Sequence, residues 1–134
     1  MRIWDINPGY LNRHSLLGEH RELHAIVSVI AHKKRGYYNH PETVRWRGYG
    51  WALMQRHRIL ASEMSLRGFS DISPVNTRSK KDVWPEVYID EPYQHFVLLE
   101  AKNRGKEQGR ITLPRSANME PAQILCACTR SGCL

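Results

Sequence analysis

Apolar residues recur at helical spacing in the first third of the chain. From Asn12 or Arg13 to His32, the residues Leu16, Leu17, Leu23, Ile26, Val27 and Ile30 return every three or four positions, and a basic Lys33-Lys34-Arg35 end followed by Gly36 marks a stop. This spacing predicts a first helix. Asn39-His40-Pro41-Glu42 has the order of an N-cap, a proline in the first turn and a glutamate three places after the cap. It opens a second long helix that Gly68 stops, with Trp46, Gly50, Leu53, His57, Leu60 and Met64 as its stripe. Ahead of both, Asn7-Pro8-Gly9 is a turn signal that leaves residues 1–6 as a short extended lead. The polar stretch from Ser70 to Lys81 reads as a loop. After a Trp84-Pro85 turn, Asp90-Glu91-Pro92 caps a shorter helix through Phe96, Val97, Leu98 and Leu99 to about Lys102, with a strand as the alternative. Gly105 to Gly109 ends that element. The expected fold is all-α: a compact single domain over residues 1–113, built on two long helices and a shorter C-terminal helix, followed by a flexible, irregular tail over 114–134.

Length and composition narrow the class. At 134 residues the chain has room for one core, which excludes a two-domain enzyme. Twenty Lys and Arg against thirteen Asp and Glu give a net charge of +7, and a polyanion, above all DNA, is the natural partner of such a surface. Cys126, Cys128 and Cys133 all fall near the carboxy end, unlike the spread of a secreted disulfide scaffold, so a reducing cytoplasm is expected. No run is apolar and long enough to span a bilayer, and the N-terminus has no apolar signal core, so no membrane partner is expected.

The helix faces suggest where chemistry can sit. Glu22 lies on the flank of the first helix's apolar stripe, about 100° from its centre, among the small residues Ser15, Gly18 and Ala25 that leave room for a ligand. On the second helix, Arg45, Arg56 and Arg67 with Tyr49 border one side of the stripe, and Arg47 and Arg58 with Trp51 border the other. Two arginine rows interleaved with aromatic residues suit two phosphate backbones, although a solvated charged face has the same pattern. His20 and His24 are four apart on one helix face, a spacing metals use, but no third ligand is evident nearby and Glu22 falls on another face. They are expected to pack at the core edge. The three cysteines lack a fourth ligand; His14, His32, His40, His57 and His95 read as packing or surface residues, with His57 foremost among them for burial. No metal or organic cofactor is required by these patterns.

The run from Leu11 to His24, with Glu19-His20-Arg21-Glu22-Leu23 inside it, and the later Arg67-Gly68-Phe69 resemble the pyrimidine-dimer DNA glycosylases typified by the phage endonuclease V. The resemblance covers about the first 70 residues. The segment from Gly36 to Tyr49 is similar to uncharacterised bacterial relatives of that family. What the resemblance implies is a compact all-α DNA-repair enzyme, a glycosylase with abasic-site lyase activity acting on damaged duplex DNA as a monomer. Its nucleophile is the chain's own α-amine, here that of Met1, because Arg2 is too large for ordinary Met removal. An α-amine with a pKa of about 7.7–8.0 supplies neutral nucleophile near neutrality, where an exposed lysine does not. Glu22 occupies the position of the family's acid/base carboxylate, and Arg2 and Arg21 match phosphate-contacting arginines; Arg45, Arg47, Arg56 and Arg58 complete the expected DNA-binding set. The chain departs from the family in having Ala25 where a further arginine stands, and in lacking the phage enzyme's aromatic carboxy-terminal segment. Two rivals follow, a non-catalytic DNA-binding module on the same scaffold and a metal-dependent nuclease built on His20 and His24.

Overall fold

Asn12 starts the first helix as the sequence predicts, its side-chain oxygen accepting from Ser15 N at 2.9 Å and so satisfying one of the free donors of the first turn. In the computed structural model, which describes residues 2–71, 73–90 and 92–113, α1 spans Arg13–His32, α2 Pro41–Trp46, α3 Gly50–Leu66 and α4 Pro92–Lys102, with a 3-10 turn at Pro8–Tyr10. All regular elements among the described residues are helices. The expected carboxy-terminal tail, with Cys126, Cys128 and Cys133, lies outside the described residues, as does Met1.

The second long helix is in fact two. Gly48 has φ +81°, a left-handed conformation that a residue with a side chain rarely adopts, and it turns the chain between α2 and α3. The break is held open from outside: Gly50 N donates to Ser79 Oγ at 3.0 Å and Trp51 N to Ser79 O at 2.9 Å, while Thr77 Oγ1 donates to Gly50 O. A loop distant in sequence thus caps α3, and the local pattern of apolar residues carries no sign of it. A Cβ on Gly50 would lie 2.8 Å from Ser79 Oγ, which explains the glycine there. The cap of α2 is also shifted by one residue from expectation, since His40 Nδ1 rather than Asn39 accepts from Glu42 N. Helix α4 forms where a strand was the alternative.

The core lies between α1 and α3, with Leu16, Leu23, Ile26, Leu53, Leu60 and Met64 meeting Ile3, Ile6 and Leu11 from the N-terminal lead and Phe96 and Leu99 from α4. Two charged residues occupy stripe positions inside this core. Glu19 stands three after Leu16 and four before Leu23, and Arg56 three after Leu53 and four before Leu60. They face each other: Arg56 Nε donates to Glu19 Oε2 at 2.6 Å and Nη2 to Oε1 at 2.9 Å, with both side chains 0% exposed. At the far end of α3, Glu63 accepts from Arg67 and Arg110, and Arg67 Nη2 donates to Pro8 O, which ties the segment after α4 and the 3-10 turn to α3.

Removing one partner of the α1–α3 pair leaves an uncompensated buried charge. Arg56→Met is expected to lower stability by about 3–5 kcal/mol, read from the midpoint of urea unfolding; an unchanged midpoint would contradict the buried pair.

Candidate functional site

Chain termini usually fray, but the lead of this protein is buried over Ile3, Trp4, Asp5, Ile6 and Asn7. Each of the four described helices holds it. From α1, Glu19 Oε1 accepts from Trp4 N at 3.0 Å. Arg56 on α3 uses its remaining nitrogen, Nη1, to donate to Ile6 O at 2.7 Å. Arg45 on α2 donates from Nη2 to Asp5 Oδ2, from Nη1 to Glu42 Oε1 at 2.6 Å and from Nε to Val87 O at 2.6 Å. On α4, His95 Nδ1 lies against Trp4 O; a carbonyl only accepts, so Nδ1 carries the proton. Asp5 has φ +58°, which an aspartate tolerates better than most residues and which the Arg45 contact holds in place.

These contacts correct part of the expected DNA-binding set. Arg45 and Arg56, read from the sequence as border residues of the apolar stripe, have side chains 2% and 0% exposed with their donors committed to carboxylates and carbonyls. They present nothing to a phosphate. Placement on a helix wheel missed this because the centre of the α3 stripe is shifted toward Arg56, with Ala52, Leu53, Arg56, Leu60, Glu63 and Met64 all buried. The sign visible in the sequence was a charged residue at the three-and-four spacing of each stripe.

The other candidates lie where solvent reaches. Arg21 and Arg58 are exposed, and Arg47 is half-buried with its guanidinium 4.2 Å from the centre of the Tyr38 ring. Arg2 is 41% exposed, pairs with Asp90 Oδ2 at 2.6 Å and lies over the Trp4 ring. Beside it, Arg2, His40, Glu42, Asp90 and His95 line a small cavity of about 110 Å³. Glu22 is half-buried on α1, and among the described residues no side chain pairs with it. It is one turn on from Glu19, about 60° round the helix, so it flanks the face against which the lead is held. One turn before it, a Cβ on Gly18 would meet nothing within 4 Å.

Burial shapes the titration of the lead's surroundings. It pushes the His95 imidazole below its ordinary value, with Arg2 helping, although the Trp4 carbonyl favours the charged form. Burial also pushes the Glu42 carboxyl up, against the pull of Arg45 and the Trp46 indole. On the opposite side of α1, His20 and His24 do not simply pack at the core edge: His57, buried as expected, and Asp71 join them in a cluster with the residue types and spacing to hold a metal ion. Sequence separation hid the last two.

A family model described as pyrimidine dimer DNA glycosylase matches residues 1–77, more than half of the chain. No curated protein and no solved structure matches. No helix among the described residues is long and apolar enough to cross a membrane.

The His95 shift sets a pH dependence. Its folded value lies below that of the unfolded chain, so the unfolded state binds more protons below about pH 6.5 and stability is lost as pH falls through that window. His95→Gln, which keeps a donor for Trp4 O, is expected to lessen the fall in melting temperature between roughly pH 7.5 and pH 5; an unchanged fall would mean that His95 titrates normally.

Proposed function

Because the chain belongs to the pyrimidine dimer DNA glycosylase family, a family of DNA-repair enzymes, we propose that it excises damaged pyrimidines from duplex DNA and nicks the resulting abasic strand through an imine at the α-amine of Met1. The observation that carries this reading is the clamped lead. An α-amine gains effectiveness as a nucleophile when the residues behind it hold it in one place, and Trp4, Asp5 and Ile6 are held by side chains from four helices. Glu22 borders that face with a carboxylate that no side chain among the described residues pairs with, as suits a group that must take and return protons.

In this mechanism the neutral amine attacks C1′ of an extruded nucleotide, the C1′–N bond breaks, and the base leaves with a proton. The amine gives up one proton to the departing base; its lone pair then breaks the C1′–O4′ bond, O4′ takes a proton from water, and a protonated imine is left at C1′. Glu22 then removes the acidified C2′ proton, and the electron pair expels the 3′ phosphate by β-elimination. Arg2, Arg21, Arg47 and Arg58 contact the backbone, with Arg2 exchanging Asp90 for a phosphate, and the exposed Lys33-Lys34-Arg35 end adds long-range attraction. Arg45 and Arg56 act indirectly, by positioning the lead.

Borohydride reduction tests the mechanism on duplexes carrying an abasic site or a cyclobutane pyrimidine dimer. The untagged protein is expected to give a covalent adduct mapping to residue 1, and Glu22→Gln to lose nicking while keeping its affinity for DNA. An adduct on a lysine, or full activity with an uncleaved N-terminal tag, would refute the α-amine; binding without product from wild type would leave a non-catalytic module. Neutralising Arg47 or Arg58 is expected to reduce the slope of log affinity against log salt by about one, whereas an unchanged slope would remove that residue from the interface.

A further inference from the structure

His20 and His24 stand one turn apart on α1, His57 comes from α3, and Asp71 comes from the loop that follows α3. One ligand atom from each of these four residues lies within 4.8 Å of all the others. The three rings form a compact triangle with centres 4.6, 4.9 and 5.3 Å apart. His24 Nε2 is 3.3 Å from His20 Nε2, and Asp71 Oδ2 is 2.9 Å from His20 Nε2 and 2.7 Å from His57 Nε2. Ligand atoms about 2.0–2.1 Å from a tetrahedral zinc ion are about 3.3 Å from one another, and these three separations lie at or somewhat below that spacing.

Hydrogen bonds alone leave the cluster incompletely satisfied. His57 Nε2 is buried, and its closeness to Asp71 lacks hydrogen-bond alignment. Two imidazole nitrogens facing each other at 3.3 Å need one proton between them, and a third nitrogen converges on the same carboxylate oxygen. The other oxygen of Asp71, Oδ1, accepts from Ser73 N at 2.9 Å, which fixes the carboxylate with Oδ2 toward the imidazoles. A cation at the common point would accept all four lone pairs.

We infer that His20, His24, His57 and Asp71 form a binding site for a divalent transition-metal ion, with zinc the ion whose ligand preferences they fit. Three imidazoles and one carboxylate are borderline donors; calcium and magnesium take oxygen-rich sets. Four protein ligands close a tetrahedral shell, the arrangement of structural sites rather than of catalytic ones that keep a position for water. The ion would pin the loop carrying Asp71 to both long helices, beside an open cleft of about 780 Å³ lined by His57, Arg58, Asp71 and Asn76. The site is separate from the proposed DNA chemistry, because Glu22 is two residues from both His20 and His24 and therefore about 160° round α1 from each. It stands whether or not the α-amine mechanism does.

The test uses the full-length chain without a histidine tag, stripped with a chelator and titrated with zinc alone. Native mass spectrometry is expected to show one zinc per chain. That zinc is retained when Cys126, Cys128 and Cys133 are all changed to Ser, and lost from Asp71→Asn and from His57→Gln with far-UV circular dichroism unchanged. Zinc loading is also expected to raise the melting temperature of the wild type, as for any ligand of the folded state. Retention by both ligand variants, or loss from the cysteine variant, would overturn the site. Should the ligand variants not fold, zinc-edge X-ray absorption of the wild type decides: a nitrogen and oxygen shell near about 2.0–2.1 Å with imidazole scattering supports the assignment, while a sulfur shell near about 2.3 Å, or no zinc uptake, overturns it.

Discussion

The ion pair between Glu19 and Arg56 is the constraint on which the remainder of the structure depends. Burying a carboxylate and a guanidinium removes them from water at a cost of several kcal/mol each, and the arrangement is tolerable only when their remaining hydrogen-bonding positions are also filled. Here the bidentate contact uses two nitrogens of Arg56, and the N-terminal lead supplies what is left: Trp4 N to Glu19 and Ile6 O to Arg56. The register of α1 on α3 and the path of the lead are therefore set together. Slipping either helix by a turn would separate the charges.

Arg45 repeats the device at the edge of the core. It joins α2 to Asp5 in the lead and to Val87 in the chain that precedes α4, while Glu42 is shared between Arg45 and the Trp46 indole. The consequence is a lead held at Trp4, Asp5 and Ile6, in a protein whose family acts on DNA. A nucleophile on a frayed end would lose most of the advantage of an intramolecular arrangement, since orientation has to be established before the bond forms. In the mechanism proposed above, the residues held behind the amine supply that orientation.

The basic charge of the chain is thus divided by depth. Buried arginines hold the lead, whereas others such as Arg21 and Arg58 are exposed to solvent. Helix α1 is divided by angle in a comparable way: Glu19 and Glu22 face or flank the lead, and His20 and His24 turn toward His57 and Asp71. Burial pushes the His24 and His57 imidazoles below their ordinary values. It pushes the Asp71 carboxyl up, but the Ser73 N–H and the neighbouring His20 and His57 outweigh it and hold that carboxyl low.

Local signals in the sequence determined the helices, because caps, stops and apolar spacing act within a few residues. Asn12 and His32 bound α1 as predicted, and Pro92 and Lys102 bound α4. The Glu19-His20-Arg21-Glu22-Leu23 motif and the net charge of +7 also carried the family and its polyanionic partner, since both are properties of the chain rather than of its packing. Tertiary structure alone decided what became of each charged group. Whether Arg56 meets solvent or Glu19 depends on a partner 37 residues away, and the cluster of His20 and His24 is completed from α3 and the loop behind it. The interruption at Gly48 was equally hidden, because the groups that cap α3 come from Thr77 and Ser79. Periodicity reports which face of a helix is apolar; the free energy of burying a charge is set by whatever the folded chain places opposite it.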